Sequence, residues 1–271
     1  MLALCVVSFG SCKKNTSDWE AIEEKGKFVC GITIYAPMNY YDANSDLVAD
    51  ESGDLVGFDT ELAKLVAEKL GVEVEFQVIE WENKYIELQS GSIDCIWNGF
   101  TSNSLEKDGT PRSELVDFTH GYLDNTQCVV VLKDNLADYT SKESLKGKKA
   151  AAESESAGES FAESAEASAV VGVSSQMDAF IELKSGSVDF VVVDKLLAKS
   201  YVGEGDYANL AMAPIELDSE VYAIGCRKGS DFDEKINEAL IELLNEGKIE
   251  ELAEKYSVRI TESLLAMKDE D

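Results

Sequence analysis

Apolar and polar positions along the chain follow the patterns of strands and helices in alternation. The first part predicts a strand, a helix and a second strand, at residues 27–33, 60–70 and 72–78. Asp59 is expected to cap this helix and Gly71 to end it. The same order recurs at residues 148–152, 158–168 and 170–173, and a last strand and two helices are predicted at residues 221–227, 231–244 and 248–256. This alternation predicts an α/β protein.

A repeated segment divides the chain into two related parts. Residues 85–98 read YIELQSGSIDCIWN, and residues 180–194 read FIELKSGSVDFVVVD. Each copy predicts the end of an amphipathic helix, a stop at Gly91 or Gly186, and a short apolar strand of the kind buried in a parallel sheet. Two copies of one helix-to-strand unit predict two similar α/β lobes rather than one long sheet.

The predicted strand ends place polar residues at a cleft between the lobes. Open parallel sheets bind ligands beyond the carboxyl ends of their strands, so two facing lobes share such a site. The first repeated strand is followed by Asn98, Gly99, Phe100 and Thr101, and the second by Asp194. We therefore expect these residues at the mouth of the cleft.

Composition limits the classes of partner. The chain has 24 basic and 53 acidic residues, and its net charge of -29 repels nucleic acid and anionic lipid headgroups. Four cysteines, Cys30, Cys95, Cys128 and Cys226, lie singly in apolar runs without the spacing of a zinc site. They fit either small buried side chains or disulfides, such as Cys30 with Cys95 or Cys128 with Cys226. No metal or cofactor is expected.

The N-terminal residues have the pattern of a processing site. Residues 1–10 are a short apolar stretch, and small residues precede Cys12. We expect residues 1–11 to be a signal-peptide remnant, Cys12 to be the lipidated first residue, and residues 12–24 to be a tether. An N-terminal apolar tag with an incidental cysteine is the alternative. No other run in the sequence approaches the length of a membrane span.

Eight short motifs, in order, carry a resemblance to a known family. They lie at residues 35–38 (YAPM), 57–59 (GFD), 91–94 (GSID), 112–118 (RSELVDF), 194 (D), 237–240 (NEAL), 245–248 (NEGK) and 254–256 (EKY). Over residues 27–258 the chain resembles bacterial extracellular solute-binding proteins of family 3, which bind polar amino acids for ABC importers. The resemblance implies a type II periplasmic-binding-protein-like fold, in which each lobe is a mostly parallel sheet flanked by helices.

The resemblance also implies boundaries and partners. Lobe I is expected at residues 25–124 and 221–271 and lobe II at residues 125–220, with two hinge strands between them. We expect an extracytoplasmic, lipid-anchored monomer that closes on a free amino acid and delivers it to an ABC transporter permease. No catalysis is expected.

The ligand-binding residues follow from the matched motifs. Arg112 stands where the family's arginine grips the ligand carboxylate, and a guanidinium suits this role because it forms two parallel charge-assisted hydrogen bonds. Thr101 matches the hydroxyl residue that shares the carboxylate, Gly99 the backbone group near the α-amine, and Asp194 the acid that pairs with the α-ammonium. The remaining candidates are aromatic walls and side-chain contacts, at Tyr35, Trp81, Glu153 and Ser156.

Some positions depart from the family pattern. The link between Thr101 and Arg112 is lengthened by residues 105–111, and Glu155 replaces a glycine in the loop that contains Ser156. Family members that bind cationic ligands carry an acidic residue just before the Tyr35 motif, and its absence here disfavours a basic ligand. Glu153 is nevertheless a candidate to face the side chain of the ligand. An acidic segment from Asp42 to residue 53 lacks the glycine and glutamate of a calcium loop, so we expect a solvated hairpin.

Two other functions remain open at this stage. A few proteins of this fold are dehydratases, but the only histidine, His120, is expected in the hinge as a polar connector. A sensory module that signals through the same closure is the second alternative.

Overall fold

Residues 17–42 and 53–269 are described by a computed structural model. Cys12, the predicted signal-peptide remnant and most of the predicted acidic hairpin lie outside the described residues. The predicted tether is too long, because a helix α1 occupies Asp18–Lys25. Trp19 of α1 stacks on Phe232 with ring centroids 6.2 Å apart, and Ile22 is fully buried, so this helix belongs to the folded part.

The other elements follow the predicted order with small shifts. The helices after α1 are α2 Phe58–Leu70, α3 Lys84–Ser90, α4 Arg112–Leu115, α5 Ala157–Ser164, α6 Gln176–Ser185, α7 Lys195–Tyr201, α8 Phe232–Asn245, α9 Lys248–Tyr256 and α10 Glu262–Leu265. The strands are β1 Lys27–Ile32, β2 Tyr40–Asp42, β3 Asp54–Val56, β4 Glu73–Val78, β5 Cys95–Ile96, β6 Val116–Phe118, β7 Leu123–Leu132, β8 Lys149–Glu153, β9 Ala169–Val173, β10 Phe190–Asp194, β11 Leu210–Met212, β12 Ser219–Tyr222 and β13 Gly225–Arg227. Within the described residues, no helix is both long and apolar enough to cross a bilayer.

Two separate sheets confirm the predicted fold class. The first sheet has the order β4-β1-β5-β13-β6, and the second has the order β11-β7-β10-β8-β9 with β12 also on β7. In each sheet three adjacent strands are parallel to one another. These are β4, β1 and β5 in the first sheet, and β9, β8 and β10 in the second. The other pairs are antiparallel, so both sheets are mixed rather than mostly parallel.

The strand predicted at residues 221–227 is in fact two strands in different sheets. β12 pairs with β7, whereas β13 pairs with β5 and β6. Between them the amide of Ala223 donates to the carbonyl of Phe100 at 3.0 Å, and the amide of Ile224 donates to the Thr119 hydroxyl at 3.0 Å. These contacts satisfy the backbone where the chain changes partners. The chain therefore leaves the first sheet along β7 and returns along β12.

The repeated sequence forms the same local structure twice. α3 and α6 end at Gly91 and Gly186, which adopt φ of 78° and 79°, a left-handed conformation that suits glycine. Three residues later, Asp94 accepts a hydrogen bond from the amide of Val29 at 2.9 Å, and Asp189 accepts one from the amide of Lys149 at 2.8 Å. Each aspartate thus ties a helix end to a neighbouring parallel strand, β1 in the first sheet and β8 in the second.

The cysteines of the first sheet are buried thiols. Cys30 of β1 lies opposite Cys95 of β5, with the sulfur atoms 3.8 Å apart, and Cys226 of β13 lies opposite Cys95 on the other side. Cys128 is also buried and free. In this structure all four act as small core side chains.

Candidate ligand-binding site

A cavity between the two sheets brings together most of the predicted site residues. The cavity is nearly closed in this structure: the centre of a water-sized sphere has about 20 Å³ in which to move, within about 310 Å³ of space between atoms that includes open solvent. The lining residues from the first sheet and its loops are Trp81, Asn98, Gly99, Thr101 and Arg112. Those from the second are Gln127, Glu153, Ser156, Ala157, Gln176 and Asp194. As the strand-end rule predicts, several of these follow directly on strands.

Phe100 and Tyr35, both candidates for ligand contact, do not line this cavity. Phe100 is fully buried and packs edge-on against Trp81, with ring centroids 5.3 Å apart. Its ring also lies 5.1 Å from the guanidinium carbon of Arg112, so it supports two lining residues from behind. The Tyr35 hydroxyl packs so close to Gly99 that a Cβ on this glycine would lie 1.9 Å from it.

The segment of Asn98 and Gly99 is held in place by buried side chains. The Asn98 side-chain oxygen accepts hydrogen bonds from the Thr33 amide at 2.7 Å and from the Asn39 side chain at 2.9 Å. The Gly99 amide donates a hydrogen bond to Asp59 at 2.8 Å. The backbone group of Gly99 that is left to bind a ligand is therefore its carbonyl. The helix-capping role predicted for Asp59 is wrong, because α2 begins one residue earlier and Gly57 occupies the cap position.

Asp59 joins this segment to the core. Besides accepting from Gly99, it accepts a hydrogen bond from the Tyr122 hydroxyl at 2.8 Å. Burial raises the pKa of Asp59 to about 7, and these hydrogen bonds oppose the shift because they stabilise the carboxylate.

Arg112 is 2% exposed and begins α4. Its Nε donates to Glu106 at 2.8 Å, its Nη1 donates to the Thr101 carbonyl at 3.1 Å, and its Nη2 donates to the Glu155 carbonyl at 3.5 Å. A guanidinium has five N–H donors, so two remain for a ligand at the cavity wall.

Asp194 ends β10 on the opposite wall and is 6% exposed. Its Oδ1 accepts hydrogen bonds from the side-chain amides of Asn125 at 2.8 Å and Gln127 at 2.7 Å, and its Oδ2 accepts one from Gln176. Burial raises the pKa of Asp194, while these donors favour the ionised form. The amides orient the carboxylate without neutralising it, which suits a partner that carries positive charge.

Glu153 is the last residue of β8, and Ser156 lies in the loop that follows this strand. The Ser156 hydroxyl accepts a hydrogen bond from the Glu159 amide at 3.1 Å and so caps α5. The Glu153 side chain is 3% exposed, and no hydrogen bond to its carboxylate is present among the described residues. Burial first, and then the charge of Asp194, raise the pKa of Glu153, and the charge of Lys84 opposes them.

Several residues at the cavity or behind its wall were not predicted from the sequence. Gln176 follows β9, so the strand-end rule that located Asp194 applies to it equally. Gln127 lies on β7, three residues beyond the predicted lobe boundary at residue 124. Lys84 is 1% exposed behind Trp81, with its Nζ 5.0 Å from the Trp81 ring and 4.7 Å from the Tyr85 ring. Nothing in the local sequence marks this lysine as buried.

Two sheets that are connected by two strands and enclose a polar cavity define a two-part solute-binding protein. The sequence profile of the bacterial extracellular solute-binding proteins, family 3, matches residues 29–259, and the chain belongs to this family. This confirms the resemblance that the motifs carried.

Three similar proteins indicate the range of the family. The L-cystine-binding protein TcyA of Bacillus subtilis (strain 168) is 29% identical, over 90% of this chain and 87% of its own length. The amino acid ABC transporter substrate-binding protein AbpA from Streptococcus pneumoniae, solved with bound L-arginine, is 29% identical with a TM-score of 0.76, covering 93% of this chain and 100% of its own. The ancestral amino acid-binding protein AncCDT-1, a precursor of cyclohexadienyl dehydratase, is 28% identical with a TM-score of 0.75, covering 89% and 99%.

Proposed function

We propose that this protein binds a free amino acid outside the cytoplasm and delivers it to the permease of an ABC transporter. The observation that carries the proposal is that Arg112, which begins α4 beside the first sheet, and Asp194, which ends β10 of the second sheet, line one cavity. A guanidinium and a carboxylate on opposite walls match the carboxylate and ammonium of an α-amino acid. Neither sheet alone presents both charges, so the ligand favours the state in which the sheets approach each other.

The two crossing strands are the proposed hinge. β7 and β12 pair along residues 123–126 and 219–222, and the proposed lobe boundaries at residues 124 and 220 fall within these paired segments. A few residues at such crossings can absorb the rotation of one lobe against the other. Small-angle scattering tests this: the radius of gyration is expected to fall on ligand binding, and an unchanged radius at saturation contradicts it.

Glu153 bears on the ligand's side chain. Once a zwitterion has occupied Arg112 and Asp194, the Glu153 carboxylate remains without a hydrogen-bond donor among the described residues. Its raised pKa shows that burial disfavours the ionised carboxylate, and a hydrogen-bond donor or a cation on the ligand offsets this cost. We therefore propose a ligand whose side chain carries hydrogen-bond donors or positive charge, which reverses the expectation drawn from the missing acid before Tyr35.

Binding without catalysis is part of the proposal. Proteins of this family with binding-protein names include relatives for cystine and for arginine, while AncCDT-1 precedes an enzyme. His120 is not among the residues that line the cavity, and its amide donates to Asn237 at 2.8 Å. We also propose that the protein is monomeric and that Cys12 carries a lipid anchor.

A thermal-shift screen over the common amino acids and cystine tests the function. A ligand that binds only the folded state raises the melting temperature, and we expect the largest shifts from side chains rich in donors. In Glu153→Gln the preference for a cationic over a neutral side chain is expected to fall. Mass analysis of each ligand after incubation separates binding from turnover. A screen without any shift contradicts amino-acid binding, and a converted ligand contradicts the absence of catalysis.

Lipid labelling tests the anchor. Full-length protein expressed in a bacterium with labelled fatty acid is expected to incorporate the label, and Cys12→Ser is not. Equal labelling of the two proteins contradicts the assignment of Cys12.

A further inference from the structure

The inserted loop of residues 105–111 is a compact turn. Leu105 and Pro111 form an antiparallel bridge, the Glu106 amide donates to the Thr110 carbonyl at 2.9 Å, and the Gly109 amide donates to the Glu106 carbonyl at 2.9 Å. Gly109 adopts φ of 85°, which allows the chain to turn back at this point. The loop therefore holds two consecutive charged residues, Glu106 and Lys107, in fixed places.

Glu106 contacts the arginine of the proposed site. Its Oε1 accepts hydrogen bonds from Arg112 Nε at 2.8 Å and from the Tyr85 hydroxyl at 2.6 Å. Because Glu106 binds the Nε edge, the guanidinium keeps unused donors on its terminal nitrogens. The Phe100 ring beneath Arg112 limits its tilt, so Glu106 and Phe100 together fix its orientation.

The Lys107 side chain extends from the inserted loop, beside the first sheet, to glutamates beside the second sheet. Its Nζ lies 2.8 Å from Glu159 Oε2, 3.5 Å from Glu155 Oε1 and 3.9 Å from Glu163 Oε1. The Glu159 side chain is 7% exposed, so this pair is better shielded from solvent than an ordinary surface ion pair. All three glutamates belong to α5 or to the loop that precedes it.

Glu159 also shapes the loop that faces Arg112. The oxygen that meets Lys107 accepts a hydrogen bond from the Glu155 amide at 2.7 Å, and Glu155 adopts φ of 59°. This left-handed conformation favours glycine, which the resemblance predicts at position 155. The Glu155 carbonyl in turn accepts hydrogen bonds from Lys84 at 3.3 Å and from Arg112 at 3.5 Å. Two departures from the family pattern, the inserted loop and Glu155, thus meet across the cleft.

We propose that residues 105–111 form a clasp over the ligand, a role that rests on the proposed function. In this clasp, Lys107 holds the two sheets together through Glu155 and Glu159. Glu106 is a positioning residue that directs Arg112 towards the ligand carboxylate. The clasp slows ligand release, and it does so through charge, so salt weakens it.

The role of Lys107 in holding the sheets together is tested by stopped-flow measurement of ligand dissociation, with an amino acid selected by the thermal-shift screen. In Lys107→Ala the dissociation rate is expected to rise about tenfold at low salt, the value for one charge-assisted hydrogen bond. High salt is expected to raise the wild-type rate towards that of the variant and to change the variant little. Lys146→Ala is the matched control, because Lys146 pairs with Glu166 at 2.7 Å in an exposed position within the second sheet's loops. Equal rates in wild type and Lys107→Ala overturn this role.

The Glu106 half is tested by comparing the free amino acid with its carboxamide. Wild type is expected to prefer the free acid, and in Glu106→Ala this preference is expected to fall about tenfold because Arg112 loses its orientation. Glu106→Gln retains an acceptor for Arg112 Nε and is expected to recover most of the preference. A merely structural role weakens both ligands equally and overturns the positioning role, as does tighter binding of the free acid by Glu106→Ala.

A measurement on the ligand complex separates the clasp from the proposed function, because the proposed function closes the lobes only on a ligand. Hydrogen exchange of the Glu155 amide in this complex is expected to be faster in Lys107→Ala than in wild type and in Lys146→Ala, because Glu159 loses its cationic partner. A screen that finds no amino acid contradicts the proposed function and the clasp together. A bound ligand with unchanged exchange in Lys107→Ala overturns the clasp alone.

Discussion

Asp194 and Glu220 share two hydrogen-bond donors at the hinge. The Asn125 side-chain amide donates to Asp194 at 2.8 Å and to Glu220 at 2.9 Å, and the Gln127 amide donates to the same two carboxylates at 2.7 and 3.0 Å. Asn125 and Gln127 lie on β7, Glu220 lies on β12, and Asp194 ends β10. The proposed ammonium site is therefore coupled directly to both crossing strands.

This arrangement predicts a pH-dependent stability. Burial, followed by the charge of Asp194, raises the pKa of Glu220 to about 7 from an ordinary 4.5. The folded state then holds a proton that the unfolded state has lost, so the stabilisation falls as the pH rises from about 4.5 through 7. Glu220→Gln keeps an acceptor for both amides and does not ionise. Its unfolding free energy, relative to wild type, is expected to rise by about 2 kcal/mol between pH 5 and pH 8.

Urea unfolding at a series of pH values measures this difference. Asp59, whose pKa is also raised to about 7, titrates in the same window in both proteins and cancels in the comparison. Glu262→Gln is the control, because Glu262 lies on the surface with a side chain 87% exposed. Parallel curves for wild type and Glu220→Gln would remove Glu220 as a titrating group in this range.

The repeated segment explains why so much of the fold is predictable from the sequence. Its glycines end α3 and α6, and its aspartates Asp94 and Asp189 bind the amides of β1 and β8, so local signals coincide with tertiary contacts. The strand-end rule then locates Asn98, Gly99, Thr101 and Asp194 at the cavity, because the carboxyl ends of neighbouring parallel strands lie at one edge of a sheet.

Features that depend on distant parts of the chain were not predictable in this way. The break between β12 and β13 follows from two different partner sheets, and residues 221–227 alone carry the pattern of one strand. The side chain of Phe100 turns away from the cavity because Trp81 and Arg112 cover it, which sequence spacing does not reveal. The contacts of Glu106 and Lys107 likewise require the insertion to be seen beside α5.

Arg112→Ala is expected to weaken the binding of free amino acids strongly. Loss of one partner from a buried charge pair costs about 2–5 kcal/mol, which weakens a micromolar site at least about thirtyfold. Arg112→Lys keeps the charge but not the paired donors, so it is expected to bind weakly. Calorimetry provides the measurement, and unfolding curves without ligand report separately on lost contacts to Glu106 and Thr101. Arg259→Ala, at an exposed arginine, is the control, and unchanged affinity in Arg112→Ala excludes this residue from the site.

Lys84 is expected to make stability rise at alkaline pH. Burial, followed by the charge of Arg112, lowers the pKa of Lys84 to about 8 from 10.5. The folded state loses this proton before the unfolded state does, so the unfolding free energy rises between about pH 8 and 10.5. Lys84→Met lacks this rise and is expected to be about 1–3 kcal/mol more stable at pH 7, because no buried ammonium remains. The lost cation–π contacts with Trp81 and Tyr85 reduce the gain.

Lys142 provides the matched control for this prediction. Its Nζ lies 5.1 Å from the Phe161 ring, so Lys142→Met also removes a cation–π contact, but at an exposed lysine. Unfolding followed from pH 7 to 10.5 is expected to show the alkaline rise in Lys142→Met and in wild type. An alkaline rise of the same size in Lys84→Met contradicts the assignment to Lys84.

Gly99→Ala is expected to damage both stability and binding. Gly99 adopts φ of 57°, and an added Cβ would lie 1.9 Å from the Tyr35 hydroxyl and 2.9 Å from the Tyr222 ring. The backbone conformation alone costs an alanine about 1 kcal/mol, and overpacking adds about 1–3 kcal/mol. Gly109→Ala isolates the first cost, because Gly109 adopts φ of 85° with nothing within 4 Å of an added Cβ. Urea unfolding measures both.

Removal of the Tyr35 hydroxyl tests the origin of the second cost. The double variant Tyr35→Phe with Gly99→Ala is expected to regain part of the stability lost in Gly99→Ala, because the nearest clashing atom is gone. Tyr35→Phe alone gives the baseline for this comparison. If Gly99→Ala and Gly109→Ala lower the free energy of unfolding equally, Tyr35 moves aside without cost. Close packing against Tyr35 is then not the reason for a glycine at this cavity wall.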